Sequence, residues 1–335
     1  MSRARDLADL GGSADAGGLT GRNLIINGAF QCWQRSTSVS SQTGSGYKTA
    51  DRWYTNASGG TYNQSQQTVT LGDSTIGDFK YFLRHEVTTG DDFTGILYRI
   101  EDVQSVPEGT VTLSFYAKGT NPNSGHFEMI ARQDFGTGGS PSSDVIQTAQ
   151  DVTLTSSWQR FELQITVPSI SGKTLGTNGD SYYQLQFTQP SDDDSSDAWT
   201  LDITGVQLEV GQTATPFEHR SFGDELARCL RYYEEWGGED AYQPFGYFEA
   251  ASSDLGYLVL HFSEKRDGPT VTVSNASHFH TTRSAIVPTS FSFSQPATTH
   301  VFCTIAKVGG FASGQIYSWR ANNSTAARIY FNAEL

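Results

Sequence analysis

The sequence predicts a mostly β protein: a jelly-roll β-sandwich, a short neck helix, a smaller C-terminal β-sandwich and a short N-terminal anchor helix. Three observations carry this. Short stretches alternate apolar and polar residues with a period of two, as in Leu113–Lys118 and Tyr182–Thr188. Aromatic residues make up 12% of the chain, alongside many β-branched ones. Clusters of Gly, Asn, Ser and Pro punctuate these stretches, among them TNPNSG, GTGGSPSSD and TNGD. A length of 335 residues allows two or three domains, each large enough to bury a core.

Residues 1–21 form the first region. Ser2–Leu10 reads as a helix capped by Ser2 and stopped by Gly11-Gly12, with Leu7 and Leu10 as its apolar stripe. It is far below the ~12–15 residues that give even marginal stability alone. With the glycine-rich tether behind it, the expectation is an anchor that docks on a partner.

Residues 22–221 form the jelly roll. In Leu113–Lys118 one face holds Leu113, Phe115 and Ala117, and the other holds Tyr116 and Lys118. In Tyr182–Thr188 the apolar face is Tyr183, Leu185 and Phe187, and the polar face is Tyr182, Gln184 and Gln186. Trp158–Val167 and Trp199–Val210 are further strands, and Phe127–Arg132 adds Glu128 and Arg132. If these strands adjoin, Tyr116, Lys118, Glu128, Arg132, Tyr182, Gln184 and Gln186 offer an aromatic platform and bidentate polar groups for a glycan. The simpler alternative is a solvated polar sheet face.

Residues 222–238 are the neck. A helix is expected over Asp224–Trp236, with Asp224 as N-cap and Leu226, Cys229, Leu230, Tyr233 and Trp236 at three-to-four spacing. Placed between two β-domains, the stripe of Leu226, Cys229, Leu230 and Tyr233 is expected to pack in a homotrimer. Residues 239–335 return to strands, with candidates at Gly256–Phe262, Thr270–Ser274, Ser290–Gln295, His300–Val308, Gln315–Arg320 and Arg328–Ala333. This smaller sandwich is expected to close the trimer.

A net charge of −14, from 22 basic and 36 acidic residues, argues against nucleic-acid binding and adhesion to anionic lipid. Cys32, Cys229 and Cys303 are widely spaced and odd in number, and read as core residues rather than a disulfide framework. MSRARDLADL lacks the apolar run of a signal peptide, and no stretch has the ~20 apolar residues of a membrane span. No P-loop, GxSxG, HExxH or dinucleotide fingerprint occurs. Asp192, Asp193, Asp194 and Asp197 read as a solvated acidic turn, since their spacing is not that of an EF-hand. No enzyme activity and no cofactor are expected. The alternative is a depolymerase, which needs paired carboxylates at a set separation.

Five stretches carry a resemblance. GRNLIINGAFQCWQRSTS…KTADRWY, at Gly21–Tyr54, resembles the opening of the jelly-roll domain in many tailed-phage tail-fibre proteins, itself similar to carbohydrate-binding modules that begin N-L-I-x-N-G. SFYAKG at Ser114–Gly119 and LDITGVQLEVGQTATPFEHRSFGDELARCLRYYEEW at Leu201–Trp236 extend it. PTVTVSN at Pro269–Asn275 and ARIYFNAEL at Ala327–Leu335 are similar to the C-terminal module of those proteins. The resemblance implies a structural virion protein, assembled in the host cytoplasm and released by lysis. It implies attachment to a tail, adaptor or baseplate protein through the N-terminus, and adsorption to a host surface glycan or receptor. A purely structural neck or capsid fibre is the other alternative. Jelly rolls similar to sugar-binding modules often carry one structural calcium near the first and last strands; Asp202 lies in the matching last strand, and such a calcium is the alternative to the expected absence of a cofactor. His278 and His280 invite comparison with the iron-binding His-x-His sites of long tail fibres, where three copies on a trimer axis would supply six nitrogens. Ordinary surface histidines are the simpler reading.

Overall fold

The computed structural model describes residues 21–89, 94–190, 198–282 and 285–335. The expected Ser2–Leu10 helix, with Leu7 and Leu10, and the acidic run at 192–197 lie outside the described residues. The chain divides into two units, residues 1–225 with Leu335, and residues 226–334. Among the described residues no helix is long and apolar enough to cross a membrane.

The first unit contains β1 (Ser38–Tyr47), β2 (Trp53–Thr68), β3 (Tyr81–Thr89), β4 (Thr94–Glu101), β5 (Gly109–Thr120), β6 (Phe127–Asp134), β7 (Val145–Ile146), β8 (Gln150–Val152), β9 (Gln159–Val167), β10 (Tyr182–Thr188) and β11 (Trp199–Val210). They form one curled sheet in the order β7-β6-β10-β4-β2-β3-β11-β5-β9, with β1 on β2 and β8 on β6. The curl arises in β2. Trp53–Ala57 pairs with β4, whereas Thr61–Thr68 pairs with β3, and Ser58-Gly59-Gly60 lies between the two halves. Alternation then sends Trp53, Tyr98, Phe115, Phe187 and Trp199 into one shared core.

The N-L-I-x-N-G stretch is not a strand in this structure. It is a buried loop satisfied by its two asparagines. Asn23 Oδ1 accepts from the amides of Ile25 (2.9 Å) and Leu208 (3.1 Å). Asn27 Oδ1 accepts from Gln31 (2.8 Å) and Cys32 (2.9 Å), and its Nδ2 donates to the carbonyls of Cys32 (2.9 Å) and Asp51 (3.0 Å). Asn27 sits at φ 59°, which asparagine tolerates better than most residues. Gly28 packs so closely on β11 that a Cβ would lie 2.1 Å from the Val206 oxygen.

The Pro216–Arg220 segment closes over this loop. Glu218 accepts from the amides of Gly21 and Asn23 (2.8 Å for Asn23), and Arg220 donates to the carbonyls of Ile25 (2.9 Å) and Asn23. Burial opposes ionisation of Glu218. Those two amides and the charges of Arg220 and Arg22 outweigh it and hold its pKa below the ordinary range.

The helix α1 runs over Phe222–Leu230, shorter than the expected Asp224–Trp236. Its cap is Ser221 rather than Asp224. Ser221 Oγ accepts from the Asp224 amide (3.1 Å), as an N-cap does, and its hydroxyl donates to the Asp224 carboxylate (2.6 Å). Tyr233–Gly237 is instead a strand, β12. The apolar spacing there fits either period, and tertiary partners decide. In the extended form Glu234 meets Lys265 (2.6 Å) and Glu235 meets Arg328.

The second unit continues with β13 (Pro244–Ala250), β14 (Leu255–His261), β15 (Thr270–Val273), β16 (Phe279–Thr281), β17 (Ser290–Ser294), β18 (His300–Ala306), β19 (Ile316–Ala321) and β20 (Arg328–Asn332). One sheet has the order β12-β20-β15 and the other β16-β19-β13-β14-β18-β17. Phe248, Leu260, Val301, Trp319, Ile329 and Phe331 fill the core between them.

Two predictions follow from the first unit. Asn27→Ala removes four hydrogen bonds from a buried loop, although the Cys32 carbonyl keeps the Asp51 amide, at about 1 kcal/mol for each bond after relaxation. Denaturant unfolding should show a loss on the order of 3–5 kcal/mol, where an exposed asparagine such as Asn123 should show about ±0.5 kcal/mol. The second concerns His85, buried in the core beside Tyr62 and Trp199. Its Nδ1 faces the Gln64 amide at 3.2 Å, and burial pushes its pKa from 6.5 down to about 3. The unfolded chain accepts a proton that the folded chain refuses, so this stabilisation is complete above pH 6.5 and is lost as pH falls towards 3. The stability difference between wild type and His85→Gln should shrink across that window in pH-dependent melting.

Candidate functional site

The alternation that fills the core also lays out the opposite face of β2, β4, β10, β6 and β7. Where Trp53, Tyr98, Leu185 and Ala131 point inward, their neighbours Tyr54, Arg99, Gln184 and Arg132 point outward. Register aligns them. Tyr54 pairs with Leu97, Gln184 with both Arg99 and Arg132, Gln186 with both Leu97 and Ile130, and Arg132 with Ile146. The result is a groove of about 300 Å³, also lined by Asn56.

Arg99 organises this groove. Its guanidinium carbon lies 4.9 Å from the Tyr54 ring centre and 4.7 Å from that of Tyr182, and its Nε is 3.5 Å from Gln184 Oε1. It also donates to the main-chain oxygen of Leu335, a residue grouped with this unit. The floor is formed by Gln184 (5% exposed) and Gln186 (7%), linked by a 3.1 Å amide–amide hydrogen bond. Tyr47 extends the aromatic stripe, meeting Tyr54 edge-on at 5.1 Å. Arg132 pairs with Asp134 (2.7 Å) and Asp144. Burial raises the pKa of the Tyr182 hydroxyl, so it stays a neutral donor.

Of the expected glycan-binding residues, Tyr182, Gln184, Gln186, Arg132 and Glu128 therefore share one sheet face. Tyr116 and Lys118 do not join them. They lie on β5, which sits between β11 and β9, away from β10. Tyr116 is half-buried and packs on Phe79 at 5.5 Å, inside a small cluster with Ile76, Phe82, Trp158 and Phe217 that covers that face. Lys118 lies over Trp158 at 5.1 Å and 4.0 Å from Asp202. It lines a separate groove of about 340 Å³ with Arg84, Glu86 and Thr200.

The candidate metal ligands are committed elsewhere. Both carboxylate oxygens of Asp202 accept from Arg84 at 2.7 Å, and a carboxylate flanked by two cations is a poor calcium ligand. His278 and His280 do not share a strand face. His278 ends a 3₁₀ turn and its Nδ1 meets Ser274 Oγ at 3.0 Å, while His280 lies on β16 with its Nε2 accepting from Arg320 (2.8 Å). That donation uses the lone pair a metal would need. The helix stripe is largely covered within the single chain: Cys229 is 1% exposed, Tyr233 is 5%, and Leu226 and Leu230 are half-buried.

Tyr54, Asn56, Leu97, Arg99 and Ile146 were not anticipated. The one signal in the sequence is Arg99, a charge interrupting the apolar run Ile96–Ile100; Trp53–Asn56 does not alternate apolar and polar residues, and Ile146 lies on a strand of two residues.

No protein-family model matches the chain, and no curated protein sequence matches it. Solved structures that the chain matches include "CBM4 structure and function" (20% identity, 44% of this chain and 93% of the other, TM-score 0.28). Another is the N-terminal cellulose-binding domain of β-1,4-glucanase C from Cellulomonas fimi (19% identity, 54% and 98%, TM-score 0.31). A third is the enzymatically active domain of tailspike protein 4 from bacteriophage CBA120 (17% identity, 56% and 21%, TM-score 0.33), of whose length this chain spans about a fifth.

The packing of Tyr116 yields a prediction. Tyr116→Ala removes a ring from the Phe79 cluster and should lower stability by roughly 1–3 kcal/mol in denaturant unfolding. A change within about ±0.5 kcal/mol would mean that the ring is free on the surface.

Proposed function

We propose that the first unit is a glycan-binding module and that the chain is a non-catalytic adhesive subunit of a tailed-phage particle. The observation that carries the binding role is the Tyr54–Arg99–Tyr182 arrangement above a floor of paired glutamines. Tyrosine rings offer apolar faces to the C–H surface of a sugar ring. The Arg99 guanidinium and the Gln184 and Gln186 amides supply donors and acceptors spaced for vicinal hydroxyls. Register and buried neighbours fix these groups in advance, so little side-chain entropy is lost on binding.

The virion role is supported by the resemblance of Gly21–Tyr54 and Leu201–Trp236 to tail-fibre sequences. In this reading the N-terminal region attaches to a tail, adaptor or baseplate protein, the assembly is a homotrimer, and the groove contributes to host adsorption.

The test is binding to an array of bacterial surface polysaccharides and plant β-glucans, followed by titration of the best oligosaccharide. Arg99→Ala and Tyr182→Ala should each weaken binding about tenfold or more, equivalent to about 1.4 kcal/mol. Tyr116→Ala, if folded, should leave affinity unchanged. Absence of wild-type binding across the array, or affinity indifferent to Arg99 and Tyr182, would remove the glycan-binding role.

A further inference from the structure

We infer that His126, Glu128 and Asp151 form a site for a borderline divalent cation of the Zn²⁺ type, independent of the glycan reading. One imidazole nitrogen of His126, one Glu128 oxygen and one Asp151 oxygen all lie within 4.8 Å of one another. Three features of the surroundings point to a cation among them.

The first is the orientation of the imidazole. His126 Nδ1 lies 3.3 Å from the Ser124 carbonyl, which can only accept, so Nδ1 carries the hydrogen. A carbonyl on one ring nitrogen is the arrangement that presents the other nitrogen's lone pair to a metal. Ser124 Oγ in turn donates to the His126 carbonyl (3.0 Å), bracing the turn before β6.

The second is the company of that lone pair. Nε2 faces Asp151 Oδ1 at 3.5 Å. In the neutral ring this sets one acceptor against another, which is favourable only with a positive centre between them.

The third is the register. Glu128 on β6 stands directly opposite Asp151 on β8. Like charges in directly opposed cross-strand positions are destabilising. A divalent ion held by both carboxylates turns that repulsion into coordination.

The donor set selects the ion. One imidazole nitrogen with two carboxylate oxygens suits Zn²⁺, whose ligands bind at about 2.0–2.2 Å, better than Ca²⁺ or Mg²⁺, which favour oxygen alone. A tetrahedral shell of that radius brings ligand atoms to about 3.4 Å apart. Asp151, 70% exposed at its side chain, is free to close the remaining gap. Three protein ligands leave one coordination position open to water or an added ligand.

The full chain, stripped with chelator, is titrated with Zn²⁺, Ca²⁺ and Mg²⁺ by calorimetry. A micromolar Zn²⁺ site is expected, with Ca²⁺ and Mg²⁺ at least tenfold weaker. His126→Ala and Asp151→Asn should each weaken Zn²⁺ binding by tenfold or more. His261→Ala with His300→Ala, a surface histidine pair elsewhere whose rings lie 5.9 Å apart, should leave it unchanged. Zn²⁺ binding that survives in both site variants, that is lost only in the His261/His300 variant, or that is absent from the wild type would overturn the site. Loss of Zn²⁺ binding with glycan binding intact would leave the groove reading untouched.

Discussion

A buried polar loop is stable only if every backbone group in it finds a partner, and in the first unit much of that requirement falls on two side-chain amides. Asn23 and Asn27 substitute for a sheet ladder where the chain is too irregular to form one. Asn27 holds Cys32 and Asp51 in place, and Asp51 is bound to Gln34 (2.8 Å). Trp53, two residues on, donates its indole N–H to the Asn27 carbonyl (3.2 Å) before its ring enters the core beside Phe30 and Tyr98. The start of β2, and with it Tyr54 in the groove, is therefore set by the same amide.

The long β2 strand then decides what the two outer faces become. Because its halves pair with different neighbours, a single sheet wraps around one core and presents two unlike outer surfaces. One is covered by the segment carrying Val69, Ile76 and Phe79. The other is left open, with tyrosines, arginines and glutamines in register. Polar side chains at the floor of an open groove are tolerated because they satisfy one another, as Gln184 and Gln186 do.

Period-two alternation made much of this legible in the sequence. Tyr182–Thr188 and Trp199–Val210 are strands with the bounds expected of them, and the facing of Gln184 and Gln186 away from Tyr183 and Leu185 follows from sequence alone. Strand order does not. Nothing local to Tyr116 says that β5 lies beyond β11, and so the platform imagined from Tyr116, Lys118 and Tyr182 divides into two places. Arg99 was missed because a lone arginine between Tyr98 and Ile100 looks like an ordinary outward residue until the rings of Tyr54 and Tyr182 close on it. Tyr233–Gly237 was misread because its spacing serves both periods, and the choice is made by Lys265 and Arg328, far along the chain.

The closure of Pro216–Arg220 over residues 21–25 has a mechanical meaning. The points at which the chain enters and leaves the sandwich are bonded to each other through Glu218 and Arg220. A pull applied along the chain at those two points would load this short set of charge-assisted bonds before it loads the curled sheet.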